Sequence, residues 1–379
     1  MKIKLSQAFD LQMGKTPVRN NAAYWNGSKK WVSIADIGNS GKYISDTKEC
    51  ITDRGVRESG IKAVPKETVI MSFKLSIGKT AITAEELYTN EAIMAFIDKG
   101  IYAIDPTYFY HLCCGKNWTA GTNKAVMGLT LNKATISGIE INIPDIAEQR
   151  KIAARLDRLD TVIADRQLQL EYLDYLVKSR FIELFGEPQR NPHGYKHIKL
   201  SDIATYYNGL TYKPENIAAE GTIVLRSSNI QNSQLDFADT VRVDCAIKER
   251  LMVQNNDILM CSRNGSAKLV GKVAMIKDIQ EPMSFGAFMM IIRSHYFGYL
   301  MTYFQMDAFR QQIKTGATTT INQITGRMLD DVTIPLPPMA LVDQFAAFVE
   351  QTDKSKLAVQ KSLEELELLK KSLMQQYFG

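Results

Sequence analysis

Two short motifs in this chain resemble parts of a phosphate-binding loop. They are Gly14-Lys15-Thr16 and Gly78-Lys79-Thr80. A nucleotide-binding loop of this type needs a second glycine five residues earlier, and Phe9 and Phe73 occupy those positions. The triplets therefore predict polar loops with an exposed lysine, which can contact a phosphate without forming a nucleotide site.

Two acidic motifs could point to catalysis. Asp105-Pro106-Thr107-Tyr108 faintly resembles the Asp-Pro-Pro-Tyr loop of amino-methyltransferases, but it lacks the second proline, and no glycine-rich cofactor turn follows a strand. Pro144-Asp145 with Glu148 could suggest a nuclease metal site, yet Glu148 begins an amphipathic helix. We interpret the first motif as a turn entering a helix and the second as helix capping with dipole pairing.

Histidines and cysteines give no sign of a metal site. The four histidines are scattered, and the five cysteines form no CxxC pair. We expect reduced thiols in a cytoplasmic protein without a signal peptide. The most apolar window, Phe285 to Phe304, contains Arg293 and His295, which favours a buried strand followed by a helix over a membrane span.

Two long helices must position whatever the loops bind. Residues 146–186 contain no proline or glycine before Gly186, and their apolar residues recur in steps of three and four. A second stripe of this kind runs to the C-terminus. The predicted coiled-coil positions are Ile152, Leu156, Leu159, Ile163, Leu170, Leu173, Val177 and Leu184 in the first helix, and Phe345, Phe348, Val359, Leu363, Leu366 and Leu373 in the second.

The chain is internally duplicated. The run IKLSQAFDLQMGKT begins at Ile3 and the similar run IKLSDIATYYNGLT begins at Ile198, an offset of 195 residues (198 − 3). Glu148-Gln149 and Asp343-Gln344 repeat at the same offset. The chain therefore reads as domain, helix, domain, helix. The fold class we predict is α+β, with two α/β domains alternating with two helices that pack as an antiparallel coiled coil.

Charge distribution favours an anionic partner for the globular parts. The chain carries a net charge of +5, whereas residues 146–186 and 340–379 together hold twelve basic and thirteen acidic residues. The remainder therefore sums to +6. Two basic domains related by a pseudo-two-fold axis suit two half-sites on duplex DNA, with the helices setting their separation.

Several runs together resemble one family. Leu5–Ile37 resembles the start of a target recognition domain of type I restriction–modification specificity subunits. The two domain exits, INIPDIAEQRKIAARLDRLDTVI and IPLPPMALVDQFAAFVEQTDKSK, resemble the family's entry to a long helix, and the ends FIELFG and LMQQYFG fit as well. The resemblance covers essentially the whole chain. The second half lacks the Tyr-Trp-Asn-Gly run of the first, so the two DNA contacts need not be equivalent.

The resemblance implies a non-catalytic subunit. Each domain would read half of a bipartite, asymmetric DNA site, and the helices would set the spacing and dock two methyltransferase subunits. Those subunits would bind S-adenosylmethionine and methylate a flipped-out adenine. Restriction subunits with ATP and Mg²⁺ would join the same assembly, so this chain would carry no cofactor of its own. The domains we predict are 1–143 and 191–336, with helical spacers at 144–190 and 337–379.

Loops rich in Lys, Arg, Asn, Ser, Thr and Gly are the candidates for DNA contact, because phosphates and base edges need such donors. In the first half the candidates are Lys15, Thr16, Arg19, Lys29, Lys30, Lys74, Lys79, Lys116, Asn123 and Lys124. In the second half they are Arg226, Ser228, Asn229, Arg263, Asn264, Lys268, Lys314, Thr318, Thr319 and Asn322.

Two other classes of function stay open at this point. One is a self-sufficient methyltransferase or nuclease with a helical linker, which bound S-adenosylmethionine would reveal. The other is a scaffold, either an orphan DNA-binding one or a structural coiled coil that does not bind DNA. Absent or salt-independent DNA binding would favour the coiled coil.

Overall fold

The computed structural model describes residues 1–118, 131–314 and 322–379. Its contacts divide the chain into two units, Met1–Gln167 with Gln360–Gly379, and Leu168–Val359. Two helices of 40 residues, Ile146–Phe185 and Met339–Phe378, each begin in one unit and end in the other. This confirms the long helices that the apolar stripes predict.

The first unit holds ten strands and five short helices within its described residues, besides segments of the two long helices. The strands are β1 Lys2–Lys4, β2 Phe9–Met13, β3 Trp25–Val32, β4 Tyr43–Ile44, β5 Glu49–Ile51, β6 Val69–Ser72, β7 Thr80–Thr83, β8 Tyr88–Thr89, β9 Ile93–Asp98 and β10 Glu140–Asn142. The helices are α1 Leu5–Ala8, α2 Ile34–Asn39, α3 Asp53–Ser59, α4 Pro106–Gly115, α5 Lys133–Gly138 and the long α6 Ile146–Phe185.

The second unit repeats this plan in its described residues. Its strands are β11 His197–Lys199, β12 Ala204–Asn208, β13 Ile217–Ala218, β14 Thr222–Leu225, β15 Ile230–Gln231, β16 Gln234–Leu235, β17 Arg242–Val243, β18 Ile258–Cys261, β19 Val273–Met275, β20 Met283–Phe285, β21 Met289–Ser294 and β22 Thr333–Pro335. Its helices are α7 Phe297–Tyr303, α8 Asp307–Lys314, α9 Gly326–Asp330 and the long α10 Met339–Phe378.

Equivalent sheets in the two units share one strand order. The main sheet of the first unit runs β2-β9-β6-β7-β4, and that of the second runs β12-β21-β18-β19. In both units a second sheet contains one parallel pair, β3 with β8 and β14 with β20. A terminal strand pair, β1 with β10 or β11 with β22, closes each unit next to a long helix. The predicted duplication is therefore a structural one.

One glycine in each unit shows why the repeat keeps its sequence. A Cβ on Gly14 would lie 2.1 Å from the Thr89 carbonyl oxygen, and a Cβ on Gly209 would lie 2.2 Å from that of Gly286. Only glycine lets the chain leaving β2 or β12 approach the neighbouring backbone this closely. The amide of the following residue then donates a hydrogen bond to the neighbouring strand. Lys15 N lies 2.8 Å from the Thr89 carbonyl oxygen at the end of β8, and Leu210 N lies 2.7 Å from the Phe285 carbonyl oxygen at the end of β20.

Aromatic packing repeats at the ends of the long helices. In the first unit, Tyr108 of α4 packs edge-on against Phe378 with ring centroids 5.5 Å apart, and its hydroxyl donates to the Asn142 carbonyl. In the second, Tyr299 of α7 packs against Phe185 at 5.0 Å, and its hydroxyl donates to the Pro335 carbonyl. The Phe-Gly ends of the sequence are thus the residues that anchor each helix in a core.

Within each unit the two long helices lie side by side and antiparallel. Asp160 pairs with Lys370, and Arg155 donates to the Tyr377 hydroxyl at 3.2 Å, both in the first unit. In the second, Lys356 pairs with Asp174 at 2.6 Å. Of the predicted stripe, the buried members are Ile152, Leu156, Leu159, Phe345, Val359 and Leu363, and the half-buried members are Ile163, Leu170, Leu173, Val177, Leu184, Phe348, Leu366 and Leu373.

A buried polar network fastens α6 to the first unit. The His111 ring, 1% exposed, has its Nε2 2.8 Å from Asp157 Oδ1, and Lys42 Nζ lies 2.7 Å from Asp157 Oδ2. Burial lowers the pKa of His111 despite its acidic partner. Burial alone would raise the pKa of Asp157, but hydrogen bonds from Lys42 and His111 outweigh it and hold that pKa below its usual range.

The predicted capping roles are present. Asp105 Oδ1 accepts from the Thr107 and Tyr108 amides at the start of α4, and Asp145 Oδ1 accepts from the Glu148 amide at the start of α6. Among the described residues, no helix combines the length and apolar character that crossing a membrane requires.

Candidate nucleic-acid interface

In the first unit, several predicted contact residues gather at one end of the main sheet. The end of β2, the end of β6 and the start of β9 are neighbours there, since Met13 pairs with Met94 and Ser72 with Ile93. Lys15 follows β2, and Lys74 and Lys79 lie in the loop that follows β6. The sheet register therefore brings two separate lysine-bearing loops to the same edge.

The second unit gathers its candidates at the equivalent edge. Cys261 at the end of β18 pairs with Met289 at the start of β21, and the Gly209 amide after β12 donates to the Met289 carbonyl at 3.1 Å. Arg263, Asn264 and Lys268 lie in the loop after β18. This loop contacts the one that follows β14, because Asn264 Nδ2 donates to Ser227 Oγ at 3.4 Å.

Two cations occupy matching places in these loops. Lys74 and Lys79 stand two and seven residues after the end of β6, and Arg263 and Lys268 stand two and seven residues after the end of β18. None of the four forms an ion pair with a carboxylate in the described ranges. Unpaired cations at the rim of a sheet are what a polyanion needs, because no internal partner has to be displaced.

A further cationic site in the first unit is built on aromatic rings. Arg19 Cζ lies 4.1 Å from the Trp25 ring centroid and 4.7 Å from that of Trp31, and Arg19 also pairs with Glu49. The Trp31 indole N–H donates to the Lys15 carbonyl at 3.0 Å, which places this cluster beside the loop after β2. Trp25 thus packs against the core of the domain, and it also orients an arginine.

The model of the type I restriction modification DNA specificity domain matches residues 1–172 and again residues 192–368. The chain belongs to this family. The two matches coincide with the two halves of the internal repeat. Each includes one of the loops that carry the matching cations, residues 73–79 after β6 and residues 262–272 after β18, which we call the rim loops.

Relatives of this chain are specificity subunits of type I restriction enzymes. The specificity subunit of type I restriction enzyme MjaIX from Methanocaldococcus jannaschii is 23% identical over 404 residues, covering 98% of this chain and 90% of the relative. The EcoKI specificity subunit from Escherichia coli is 28% identical over 178 residues, covering 44% of this chain and 38% of the relative.

Solved structures share the fold. A chain from a structural study of complex assembly and conformational transition of the type I R-M system aligns with a TM-score of 0.65 at 17% identity, covering 100% of this chain and 97% of that one. The S subunit from M. genitalium aligns with a TM-score of 0.55 at 14% identity, covering 100% and 96%. These similarities confirm the predicted fold class.

Other predicted contact residues already have protein partners. Thr16 donates to Glu91, Lys29 lies 3.8 Å from Asp53, and Lys30 pairs with Glu85. In the second unit Arg226 pairs with Asp239 at 2.7 Å. These side chains would have to leave or share a carboxylate to bind DNA, so we rank them below the four unpaired cations.

Asn229 is not available in this conformation, which corrects its inclusion among the contact residues. The side chain is fully buried, its Nδ2 donates to the Asp236 and Asp239 carbonyls, and its Oδ1 accepts from the Arg226 amide. An Arg-Ser-Ser-Asn run reads as a polar loop in the sequence, but this asparagine is the internal support of the loop. Its neighbour Ser228 borders the cavity described below.

The remaining candidates lie partly outside the described residues. Asn123, Lys124, Thr318 and Thr319 fall in segments that are not described, and of Lys314 only its place at the end of α8 is. Asn322 Nδ2 donates to the Gly265 carbonyl at 3.3 Å, which joins it to the loop after β18. Lys116 caps the end of α4 through its backbone.

Sequence reasoning missed one residue at the second rim. Phe288 stands between β20 and β21, and its side chain is 59% exposed. The sequence places it in the most apolar window, which predicts burial. The preceding Gly286 was a usable signal, because an isolated glycine within a strand pattern suggests a bulge or a close backbone approach.

Proposed function

We propose that this chain is the DNA-reading subunit of a type I restriction–modification assembly, in which each unit reads one part of a two-part sequence. One observation carries the proposal. Equivalent rim loops in the two family-matching halves hold equivalent unpaired cations. Duplicated domains of this kind suit two separate half-sites on one duplex. We further propose that residues 1–143 and 191–336 are the two DNA-reading domains.

The two rims differ in the residues around those cations, which supports an asymmetric target. The first rim presents Lys74 and Lys79 near the paired Thr16 and Glu91. The second presents Arg263 and Lys268 near Phe288. Because base readout depends on the donors and shapes at the rim, two unlike rims favour two unlike half-sites.

Exposed apolar residues on the long helices support docking of two copies of one partner. Val162 and Leu357 are exposed at an offset of 195 residues (357 − 162). Tyr175-Leu176 and Leu368-Leu369 are exposed at an offset of 193 residues (368 − 175), which is also the offset between the helix ends Phe185 and Phe378 (378 − 185). The first unit therefore carries Val162 with Leu368-Leu369, and the second unit carries Leu357 with Tyr175-Leu176. Exposed apolar positions that recur with an internal repeat are expected where identical partners bind.

We infer that those partners are methyltransferase subunits, and that restriction subunits join the same assembly. The name specificity subunit, which the relatives carry, supports a binding role for this chain and leaves catalysis to its partners. S-adenosylmethionine, ATP and Mg²⁺ would then belong to those partner chains. Because such an assembly would act on chromosomal or incoming DNA, we propose that the chain works in the cytoplasm.

Mapping of methylated adenines would test this proposal. Cells that carry this chain with its neighbouring methyltransferase are compared with cells that lack this chain alone. A split sequence motif that vanishes with the chain supports the proposal. If methylation stays unchanged in cells that lack the chain, the chain has no role in recognising the methylated sequence.

Purified variants of the assembled complex test the rims directly. Replacing Lys74 and Lys79 with alanine should weaken DNA binding and lower the salt-dependence slope by about two, and replacing Arg263 and Lys268 should weaken binding and lower the slope by at least about one. Lys66→Ala and Arg250→Ala are matched controls, because both residues are exposed and precede β6 and β18 at the opposite strand ends. Equal losses in the controls would contradict a rim-specific role.

A further inference from the structure

The aromatic residue at the second rim sits on a fixed backbone. The Phe288 carbonyl accepts hydrogen bonds from the Ser262 amide at 3.0 Å and the Arg263 amide at 3.1 Å. The Gly286 amide donates to the Leu225 carbonyl at 2.9 Å, which ties the same turn to the end of β14. An exposed phenylalanine on a turn held from both sides is a rigid platform rather than a loose loop tip.

That platform supports a guanidinium group. Arg263 Cζ lies 5.4 Å from the centroid of the Phe288 ring. The arginine is exposed and has no carboxylate partner in the described part of the chain. Stacking on an aromatic face restricts the orientation of the guanidinium plane and leaves its N–H donors available to a ligand.

Phe288 also lines an open cavity of about 370 Å³ at the same rim. Its other walls include Tyr212, Arg226 and Ser228. Arg226 is held there by Asp239, and its Nε is buried without a hydrogen-bond partner among the described residues. The second rim is therefore a concave surface with donors on its wall, a shape that accepts the edge of a base.

The first rim differs at the equivalent positions, where Lys74 Nζ lies 5.3 Å from the ring centroid of Phe73, which is buried. Lys74 replaces Arg263, and Ala92, which is buried, replaces Phe288 where β9 and β21 align. Lysine presents a compact charge on a flexible stem, whereas arginine presents a planar fork. The same loop position thus holds a point charge in one unit and an oriented bidentate donor in the other.

We propose that Arg263 reads a guanine in the half-site of the second unit, that Phe288 is its positioning residue, and that Lys74 contacts a phosphate. The proposal rests on the DNA-reading function proposed above and assigns base specificity within it. An oriented arginine can donate two hydrogen bonds to guanine O6 and N7, a pairing that discriminates against other bases by about 5- to 150-fold.

The test uses the full chain assembled with its methyltransferase, and the probe is a pool of duplexes randomised across both half-sites. Adenine methylation selects members of the pool, and sequencing gives the base preference at each position. Arg263→Ala should remove a guanine preference at one position of one half-site, by about 5-fold or more, and Arg263→Lys, which lacks the planar fork, should weaken it. The other half-site should keep its preferences.

Phe288 and Lys74 variants separate positioning and phosphate contact from base reading. Phe288→Ala should weaken the same guanine preference, and Phe288→Trp should retain it because an aromatic face remains. Lys74→Ala should reduce methylation of all pool members alike, and Lys74→Arg should restore it. Arg250→Ala serves as the exposed-arginine control and should change neither preference nor yield.

Several outcomes would overturn the assignment. A guanine preference that survives in Arg263→Ala would show that Arg263 does not read that base. A preference unaffected by Phe288→Ala, with the thermal midpoint unchanged, would remove the positioning role. If the unsubstituted complex selects no split sequence at all, the proposed function itself fails, which is a different result from loss of one guanine.

Discussion

Single glycines mark the places where the two units cannot tolerate any side chain. We predict that Gly14→Ala or Gly209→Ala destabilises its unit by about 1–3 kcal/mol, because the added Cβ would lie 2.1 or 2.2 Å from a carbonyl oxygen. Gly41→Ala is the control, since nothing lies within 4 Å of its Cβ position. Urea-unfolding midpoints measure the difference, and similar midpoints for all three variants would contradict it.

At the scale of single residues, the sequence predicts which cations lie in the loops, but it does not predict which of the neighbouring polar side chains are buried. Lys74, Lys79, Arg263 and Lys268 follow from residue type and loop composition, whereas the burial of Asn229 does not. The reason is that residue type reports what a side chain can donate. Its availability depends on backbone carbonyls that only the folded loop brings near, as those of Asp236 and Asp239 are brought to Asn229.

Helix α6 joins the first unit through a network that responds to pH. Burial lowers the pKa of His111, so the native state favours the neutral ring while the unfolded chain takes up a proton below the ordinary value of 6.5. Stability of the first unit is therefore present above that pH and is lost as the pH falls through the lowered native value. The lowered pKa of Asp157 adds the same sign of effect, but only below 3.8.

We therefore predict that the thermal unfolding midpoint of the first unit decreases as the pH is lowered from 7.5 to 5. His111→Gln, which cannot take up the proton, should lose most of this dependence. Thermal scans at several pH values measure both slopes. Equal slopes in the variant and the unsubstituted chain would show that other groups govern stability in this range.

Among elements, long and strongly periodic segments were predictable and short ones were not. The helical segment after β21 forms two short helices, α7 and α8, with a break near Gln305. The break contains no proline or glycine that would predict it. Its cause is packing, since Phe304 and Phe309 both turn into the core with ring centroids 4.8 Å apart.

At the scale of the whole molecule, the repeated apolar residues predict the partner count. Tyr175→Asp with Leu176→Asp, or Leu368→Asp with Leu369→Asp, should each reduce the methyltransferase subunits bound from two to one. Stability should change little, since Tyr175 is 70% and Leu368 69% exposed. Native mass spectrometry gives the stoichiometry. Glu171→Ala and Lys361→Ala, exposed on the same helices, are controls, and loss of a subunit in them would contradict specific docking.

The domain order and the duplication could be predicted at this scale because they depend on periodicity and offset, which the sequence displays directly. The strand order could not, because it depends on which short strands pair across long separations. Tyr43-Ile44, for example, completes the main sheet of the first unit by pairing with β7. A two-residue strand carries too little pattern to predict its partner.

The equal lengths of α6 and α10 support the last prediction, that helix length sets the spacing of the two half-sites. Removing residues 164–167 and 359–362 shortens each helix by one turn, or about 6 Å, and rotates the apolar stripe by only about 40°. Because base pairs stack about 3.4 Å apart, the spacer of the methylated motif should shorten by about two base pairs while both half-sites keep their bases.

Methylation mapping in cells carrying the shortened chain measures that spacer. Alanine substitutions of the exposed Asp165 and Gln167, without deletion, provide the control and should leave the spacer unchanged. An unchanged spacer after deletion would mean that the helices do not act as the ruler. Altered bases in a half-site would mean that the domains themselves depend on the deleted turn. A shorter spacer with both half-sites intact is the result that we expect if the rims read the bases and the helices set the distance between the half-sites.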